Sequence, residues 1–393
     1  MQLTLRKMFS VIRTLCGYCL SFDWAFDLIA FWRVQNRKAK VLFYCDHAMN
    51  IYVIATVVEE LENREEGCLV LLPRAAKNQC FPSNRTVRVS RLFPRLFMRR
   101  LSCRVFVTPA SGLSREAMPK GARQCIHYPH SIVSFHMIYH DGAFDGYDTI
   151  LACGSHHVRE IQAMNQLIGV SGRRAIPVGY GKIDMQLRWK TEHQWENPHF
   201  RIAQNTVLIA PSWGQKNIIE SMGLELVGKL REAGIGVTLR PHPGILRNNL
   251  QAVAEIRERF DSDDGFTYED PSDKSASFFY SDLMISDYSG VAFEYAFVME
   301  RPVVFVEVPV KVFNHDFKSI DIEPIELGER QNLGALCECS ADAVVDACLH
   351  LMSEPGKSVE RIKDSRARIL SNFGRAGKTA AEIIEELIHD PAG

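Results

Sequence analysis

Three loops in the second half of the chain collect residues suited to holding a phosphate. Arg240-Pro241-His242-Pro243 offers a guanidinium that can fork onto two oxyanions and an imidazole that can donate to them, with prolines stiffening the backbone between. Pro211-Ser212-Trp213-Gly214-Gln215-Lys216 adds a hydroxyl and an ammonium, while Trp213 suits packing better than stacking on a base. Ser286-Asp287-Tyr288-Ser289-Gly290 leads from the apolar run 283–285 into the apolar segment 291–298, which reads as a strand, a turn and the start of a helix. A helix N-terminus presents unpaired N–H groups and the positive end of its dipole, so Ser286, Ser289 and Gly290 frame an anion site. Glu294, one turn further in, can accept hydrogen bonds from a ribose or a polyol. The same residues also read as an ordinary capped helix, with Asp287 or Ser289 as its N-cap.

A group that takes a proton from a hydroxyl complements a phosphate site, and histidine is the usual choice near neutral pH. Residues 124–148 hold four: His127, His130, His136 and His140. Four so close together cannot all be catalytic, and His130 and His127 are the candidates for the base. His136 and His140, at i and i+4, would share a helix face, but no third metal ligand accompanies them. Asp141 and Asp145 adjoin Gly142 and Gly146 and read as turn residues. The eleven cysteines form two close pairs, Cys16 with Cys19 and Cys337 with Cys339, neither with a second pair at zinc spacing. Their odd, scattered distribution fits a reducing compartment, and no metal and no cofactor is expected. Phosphate-loop, serine-nucleophile and dinucleotide fingerprints are missing.

For these loops to act together, each must end a strand of the same sheet. Apolar runs at 40–45, 68–72, 105–107, 150–153 and 175–178 alternate with helical stretches at 51–61 and 155–167. Runs at 206–210, 236–239, 283–285 and 303–306 alternate with 218–232, 249–260 and 291–298, and further helices are expected at 340–352, 358–370 and 378–388. Strand, loop and helix repeated in this way build a doubly wound parallel sheet, here twice. The polar stretch 188–200 reads as the linker between them. The expected organisation is a membrane-proximal segment at 1–39, one Rossmann-like domain at 40–190, a second at 201–375 and a helix with a tail at 376–393. Loop edges facing one another would enclose a cleft.

A formal net charge of −1 gives no bulk attraction for nucleic acid. Residues 85–104 nevertheless hold seven arginines and no acid, a solvated face or a surface for anionic headgroups or a lipid pyrophosphate. The stretch 8–32 is rich in Phe, Trp, Leu and Ile but is broken by Asp23 and Asp27, so it is too short and too charged to span a bilayer. An interfacial amphipathic helix and a buried packing helix both fit it.

Taken together, Ala210-Pro211-Ser212-Trp213, Arg240 to Pro243, Ser281 to Gly290 and Arg301-Pro302-Val303-Val304-Phe305 resemble the CDP-glycerol glycerophosphotransferase family, which includes primases and polymerases of wall teichoic acid. The order and spacing match over residues 120–390, and the turn from Val178 to Asp184 is similar to that family's interdomain turn. The resemblance implies an α/β GT-B fold, two Rossmann-like doubly wound domains facing across a cleft. It implies transfer of glycerol phosphate, or a related polyol phosphate, from CDP-glycerol or another CDP-polyol to a hydroxyl of a lipid-linked or polysaccharide acceptor, with release of CMP. The setting it implies is cytoplasmic, peripheral on the anionic inner face of the cell membrane. By position, Arg240, His242, Ser286, Ser289, Gly290 and Glu294 would form the donor site. His130 stands where the family has a Trp-His-Gly base, with His127 as the fallback. The chain departs from the family in reading Tyr128-Pro129-His130-Ser131 there, Gly290 for a second serine, and Pro211-Ser212-Trp213-Gly214 for Pro-Thr-Trp-Arg. Two rivals stay open. One is a CMP-sugar glycosyltransferase using His242-Pro243, Ser286 to Ser289 and Asp141 as base. The other is a non-catalytic nucleotide-binding protein of the envelope.

Overall fold

The structure, a computed structural model, describes residues 22–76, 80–192, 205–248, 250–271 and 276–390. Its first sheet contains β1 (Val41–Tyr44), β2 (Cys68–Pro73), β3 (Thr86–Val89), β4 (Val105–Thr108), β5 (Gln124–His127), β6 (Thr149–Ala152) and β7 (Arg174–Pro177), in the order β3-β2-β1-β4-β5-β6-β7. Its second contains β8 (Thr206–Ile209), β9 (Gly236–Leu239), β10 (Phe266–Tyr268), β11 (Leu283–Ser286), β12 (Val303–Val306) and β13 (Gly334–Cys337), in the order β10-β9-β8-β11-β12-β13. All the pairings are parallel. The central strands read VLFY, VFVT, TVLI and LMIS and are buried almost throughout, because helices cover both faces of each sheet.

Those helices are α1 (Asp23–Arg37), α2 (Ile51–Asn63), α3 (Ser155–Ile168), α4 (Gly181–Thr191), α5 (Ile218–Glu232), α6 (Leu250–Phe260), α7 (Gly290–Met299), α8 (Ala341–Ser353), α9 (Val359–Ile369) and α10 (Ala376–His389). Most carry one apolar face. α7 (GVAFEYAFVM) is apolar on nearly every side, as an enclosed helix has to be, with Glu294 its one charged residue. It packs on β11 in its own half and on α4 of the other. α10 crosses back from the second half to cover α2 and α4 of the first. Arg64 holds Glu385 at 2.7 Å and Glu382 at 3.1 Å, and the Gly377 N–H donates to Asp184 at 2.8 Å. A side chain at Gly377 would collide with Thr56, so glycine sets how closely α10 lies on α2.

Several expectations change. Residues 188–191 are the last turn of α4 rather than linker, because Trp189 is 4% exposed and packs edge-on against Tyr52 at 5.0 Å. Residues 193–204 lie outside the described part. The arginine-rich stretch is β3 followed by short helical turns, with Arg88, Arg91, Arg95, Arg99 and Arg100 exposed. Of the apolar stretch 8–32, residues 8–21 are outside the described part, and the rest starts α1. That helix buries Asp27, Ala30 and Val34 but leaves Trp24, Phe26, Ile29 and Trp32 exposed. It is pinned by Asp27, which accepts from the Ser90 N–H at 2.9 Å, and by Phe31 on Phe97. Among the described residues no helix is long and apolar enough to cross a membrane.

Candidate active site

In a doubly wound sheet, the strand order reverses where two neighbouring strands send their crossovers to opposite faces, and their C-terminal loops part to leave a crevice. Here that happens between β1 and β4 and between β8 and β11. The loops after those four strands face each other across a cleft of about 710 Å³. Met49, Asn50, Ser111, Gly112, His130 and Ser131 line it from the first half, and Ser212, Trp213, Arg240, His242, Ser289 and Gly290 from the second.

The histidines sort sharply. His127 is the last residue of β5, fully buried, ringed by Phe135, Phe144, Tyr139 and Tyr147, and bonded through Nδ1 to the Ala110 carbonyl at 3.1 Å. Burial pushes its pKa down to about 3, so it is a core residue and cannot serve as the fallback base. His130 lies three residues on, past Pro129, with its ring open to the cleft. Its Nδ1 is 3.1 Å from the Pro109 carbonyl, which can only accept, so the proton sits on Nδ1 and Nε2 keeps its lone pair. Desolvation by the surrounding cleft walls, against the opposing pull of the Pro109 bond, holds its pKa below the ordinary imidazole value. His242 carries the opposite tautomer. Its Nδ1 accepts from the Gly244 N–H at 2.9 Å, which leaves the proton on Nε2. Burial, then the charges of Lys311, Arg247, Lys182 and Arg240, press its pKa down to about 3, so His242 is a neutral donor. His136 is buried, with Nε2 on the Ile322 carbonyl at 2.9 Å and Nδ1 3.5 Å from Glu160, whereas His140 is exposed at the cleft mouth. The helical turn between them ends at Ile138, so they share no ligand. No group of three metal-binding side chains occurs among the described residues.

The expected phosphate residues divide in the same way. Ser286 is buried, and its hydroxyl donates to the Ala210 carbonyl at 2.7 Å. Asp287 is buried and accepts from the Ser212 N–H at 2.8 Å. Both therefore shape the loop after β8 rather than face a ligand. Burial raises the Asp287 carboxyl, and the Ser212 bonds and Lys311 pull it back. Ser289 stands at the N-cap of α7 without a side-chain cap bond, and it lines the cleft beside Gly290. Arg240 lines the wall, but its Nε lies 3.2 Å from Glu269 and its Nη2 donates to the Pro271 carbonyl at 2.8 Å. Glu294 meets Lys182 at 2.7 Å, Gln186 at 2.9 Å and the Tyr180 hydroxyl at 3.3 Å, all from the first half. It ties the halves together instead of standing open as a polyol acceptor. Asp141 is exposed on the cleft rim, and Asp145 pairs with Arg173 at 2.9 Å.

Three cleft residues escaped the sequence reading. Lys182 opens α4. Ser131 fills the space above Gly290, where any side chain would strike its hydroxyl. Lys311, in the loop after β12, stands 3.8 Å from the centre of the Trp213 ring and 5.0 Å from that of Phe313. Trp213 in turn lies against Gly244, where a Cβ would come within 2.6 Å of the indole. The signal for Lys311 was its place after a predicted strand of the same sheet.

Two Rossmann-like sheets with a shared cleft at their C-terminal edges define a GT-B architecture. The family model for CDP-Glycerol:Poly(glycerophosphate) glycerophosphotransferase matches residues 143–323, which bears out the family resemblance over that stretch. The match takes in Lys182, Arg240, His242, α7 and Lys311 but not His130. No curated protein sequence matches the chain. Among solved structures, a wall teichoic acid polymerase TagF variant soaked with CDPG is similar over 98% of both chains, with 13% identity and a TM-score of 0.63. A putative UDP-N-acetylglucosamine 2-epimerase from Listeria monocytogenes is similar over 89% of this chain and 97% of its own, at 12% identity and a TM-score of 0.61. The UDP-GlcNAc 2-epimerase of Methanocaldococcus jannaschii reaches a TM-score of 0.58 at 10% identity, over 89% and 99%. At such identities these likenesses speak for the fold.

Proposed function

We propose that the protein transfers glycerol phosphate, or a related polyol phosphate, from a CDP-linked donor to an acceptor hydroxyl in cell-envelope polymer synthesis. The observation that carries this reading is the opposed pair of tautomers in one cleft, His130 with an open Nε2 lone pair and His242 with an Nε2–H. An acceptor hydroxyl bound at His130 gives its proton to Nε2 as its oxygen bonds to the phosphorus that bears the polyol. The bond from that phosphorus to the bridging oxygen breaks, and CMP departs with the electron pair. His242 and the first turn of α7 offer hydrogen bonds to the charge that builds on the phosphates. Residues 143–323 match the glycerophosphotransferase model, which supports the choice of donor. The test is incubation of the purified protein with CDP-glycerol and a polyprenyl-linked disaccharide, following CMP. CMP release supports the reading. Turnover of CMP-sialic acid with none of CDP-glycerol would replace it with the CMP-sugar transferase and move the base to Asp141.

Docking on an anionic membrane surface belongs to the same reading. It is supported by the exposed Trp24, Phe26, Ile29 and Trp32 of α1 and by exposed Arg95, Arg99 and Arg100 in the segment that packs on α1 through Phe31 and Phe97. Co-sedimentation with phosphatidylglycerol vesicles that weakens at high salt is expected. Equal recovery with and without vesicles would remove this part.

A further inference from the structure

Lys311, Lys182 and Arg240 are the lysines and arginines that line the cleft among the described residues. Lys182 is matched by Glu294 at 2.7 Å and Arg240 by Glu269 at 3.2 Å. Lys311 has no carboxylate within 4 Å among the described residues. Its ammonium is instead held over the faces of Trp213 and Phe313, which replace part of its water but bring no negative charge. Burial pushes its pKa down to about 8, and the opposite charge that acts on it, Asp287, already spends one oxygen on the Ser212 N–H. A half-buried cation with no carboxylate in contact, lining the same cleft as the His242 N–H and the N-terminus of α7, is a site that lacks its anion.

We propose that Lys311 is the cation that binds the donor's diphosphate, with Trp213 and Phe313 as the platform that aims its ammonium at the anion. That the anion is part of a CDP-linked donor rests on the functional reading above. The Lys311 site itself stands on the charge pattern of the cleft. Because the ammonium touches the phosphates before and during transfer, its loss weakens binding first and turnover second.

The experiment is calorimetric titration of wild type, Lys311→Met and Lys311→Arg with inorganic pyrophosphate, CMP and CDP-glycerol, with thermal melts to establish folding. Expected results are a loss of roughly 10- to 100-fold in pyrophosphate and CDP-glycerol affinity for Lys311→Met, a smaller loss for CMP, and partial recovery in Lys311→Arg. In turnover assays the Met variant raises KM more than it lowers kcat. Wild-type pyrophosphate affinity in folded Lys311→Met, or wild type that binds no pyrophosphate, overturns the inference. Lys311-dependent pyrophosphate binding without CMP release from CDP-glycerol keeps the site and removes the proposed reaction. CMP release undiminished in Lys311→Met keeps the reaction and removes the site.

Discussion

His127 and His130 sit three positions apart and differ completely in chemistry. The difference comes from where β5 stops. His127 is still in the strand and turns into the aromatic core, while Pro129 carries the chain over the sheet edge and sets His130 in the cleft. His130→Asn is therefore expected to cut kcat by about 10²–10⁴-fold with little change in melting temperature. His127→Ala empties an aromatic pocket and should cost about 3 kcal/mol of stability. A stable, active His127→Ala protein would contradict this division. The pH profile follows from the same groups. The base works unprotonated, so activity is lost as pH falls through the His130 pKa, which lies below the ordinary imidazole range. Lys311 binds anions only when protonated, so donor affinity falls as pH rises through about 8. A bell with its acid limb above pH 7 would contradict the first assignment. By residue type and spacing the two histidines could not be told apart, since neither reveals which side of a strand end a ring takes; the family resemblance alone ranked His130 first. Ser286 misled for the opposite reason: a hydroxyl at a strand end looks like a ligand group until its partner, the Ala210 carbonyl just past β8, is known.

The strands and helices were far easier to read, because a buried parallel strand is a short run of Val, Leu, Ile and Phe between polar loops. β1, β4, β8, β11 and β12, with α2, α3, α5 and α7, follow their apolar runs closely. β3, β5, β10 and β13 were missed. β3, β10 and β13 are edge strands of three or four residues, with Arg88 and Thr267 breaking the apolar signal in the first two. β5 is central, but only Cys125 and Ile126 are apolar between Gln124 and His127. The contact between α7 and the Ser131 loop was not legible either, because it joins two elements far apart in the chain. It explains Gly290. That position lacks a side chain because the Ser131 hydroxyl, from the other half, already occupies the place. Gly290→Ala should cost about 1–3 kcal/mol or hold the cleft open and lower kcat/KM, and adding Ser131→Ala should recover most of either loss. A double-mutant cycle in melting temperature and kcat/KM measures this. Additive effects would show that the two residues are not in contact.

The two halves meet through more than the linker. Glu294 reaches across to Tyr180, Lys182 and Gln186, and α10 returns to the first half after the second is complete. Ile384, Leu387 and Ile388 of α10 are buried, in one apolar cluster with Val57, Val58 and Leu61 of α2. Ile384→Ala is expected to destabilise by about 2–5 kcal/mol, with faster amide exchange in α2 than in β8 and β11. Uniform exchange would mean that α10 does not specifically support the first half. The same return crossing governs how the chain is made. Arg64 and Glu385 are 321 residues apart, so during translation at about 5–20 residues per second α2 leaves the ribosome roughly 15–60 s before its cover is synthesised. For that interval the nascent first domain displays a bare apolar face. The protein should therefore be a chaperone client whose yield depends on translation speed as much as on final stability.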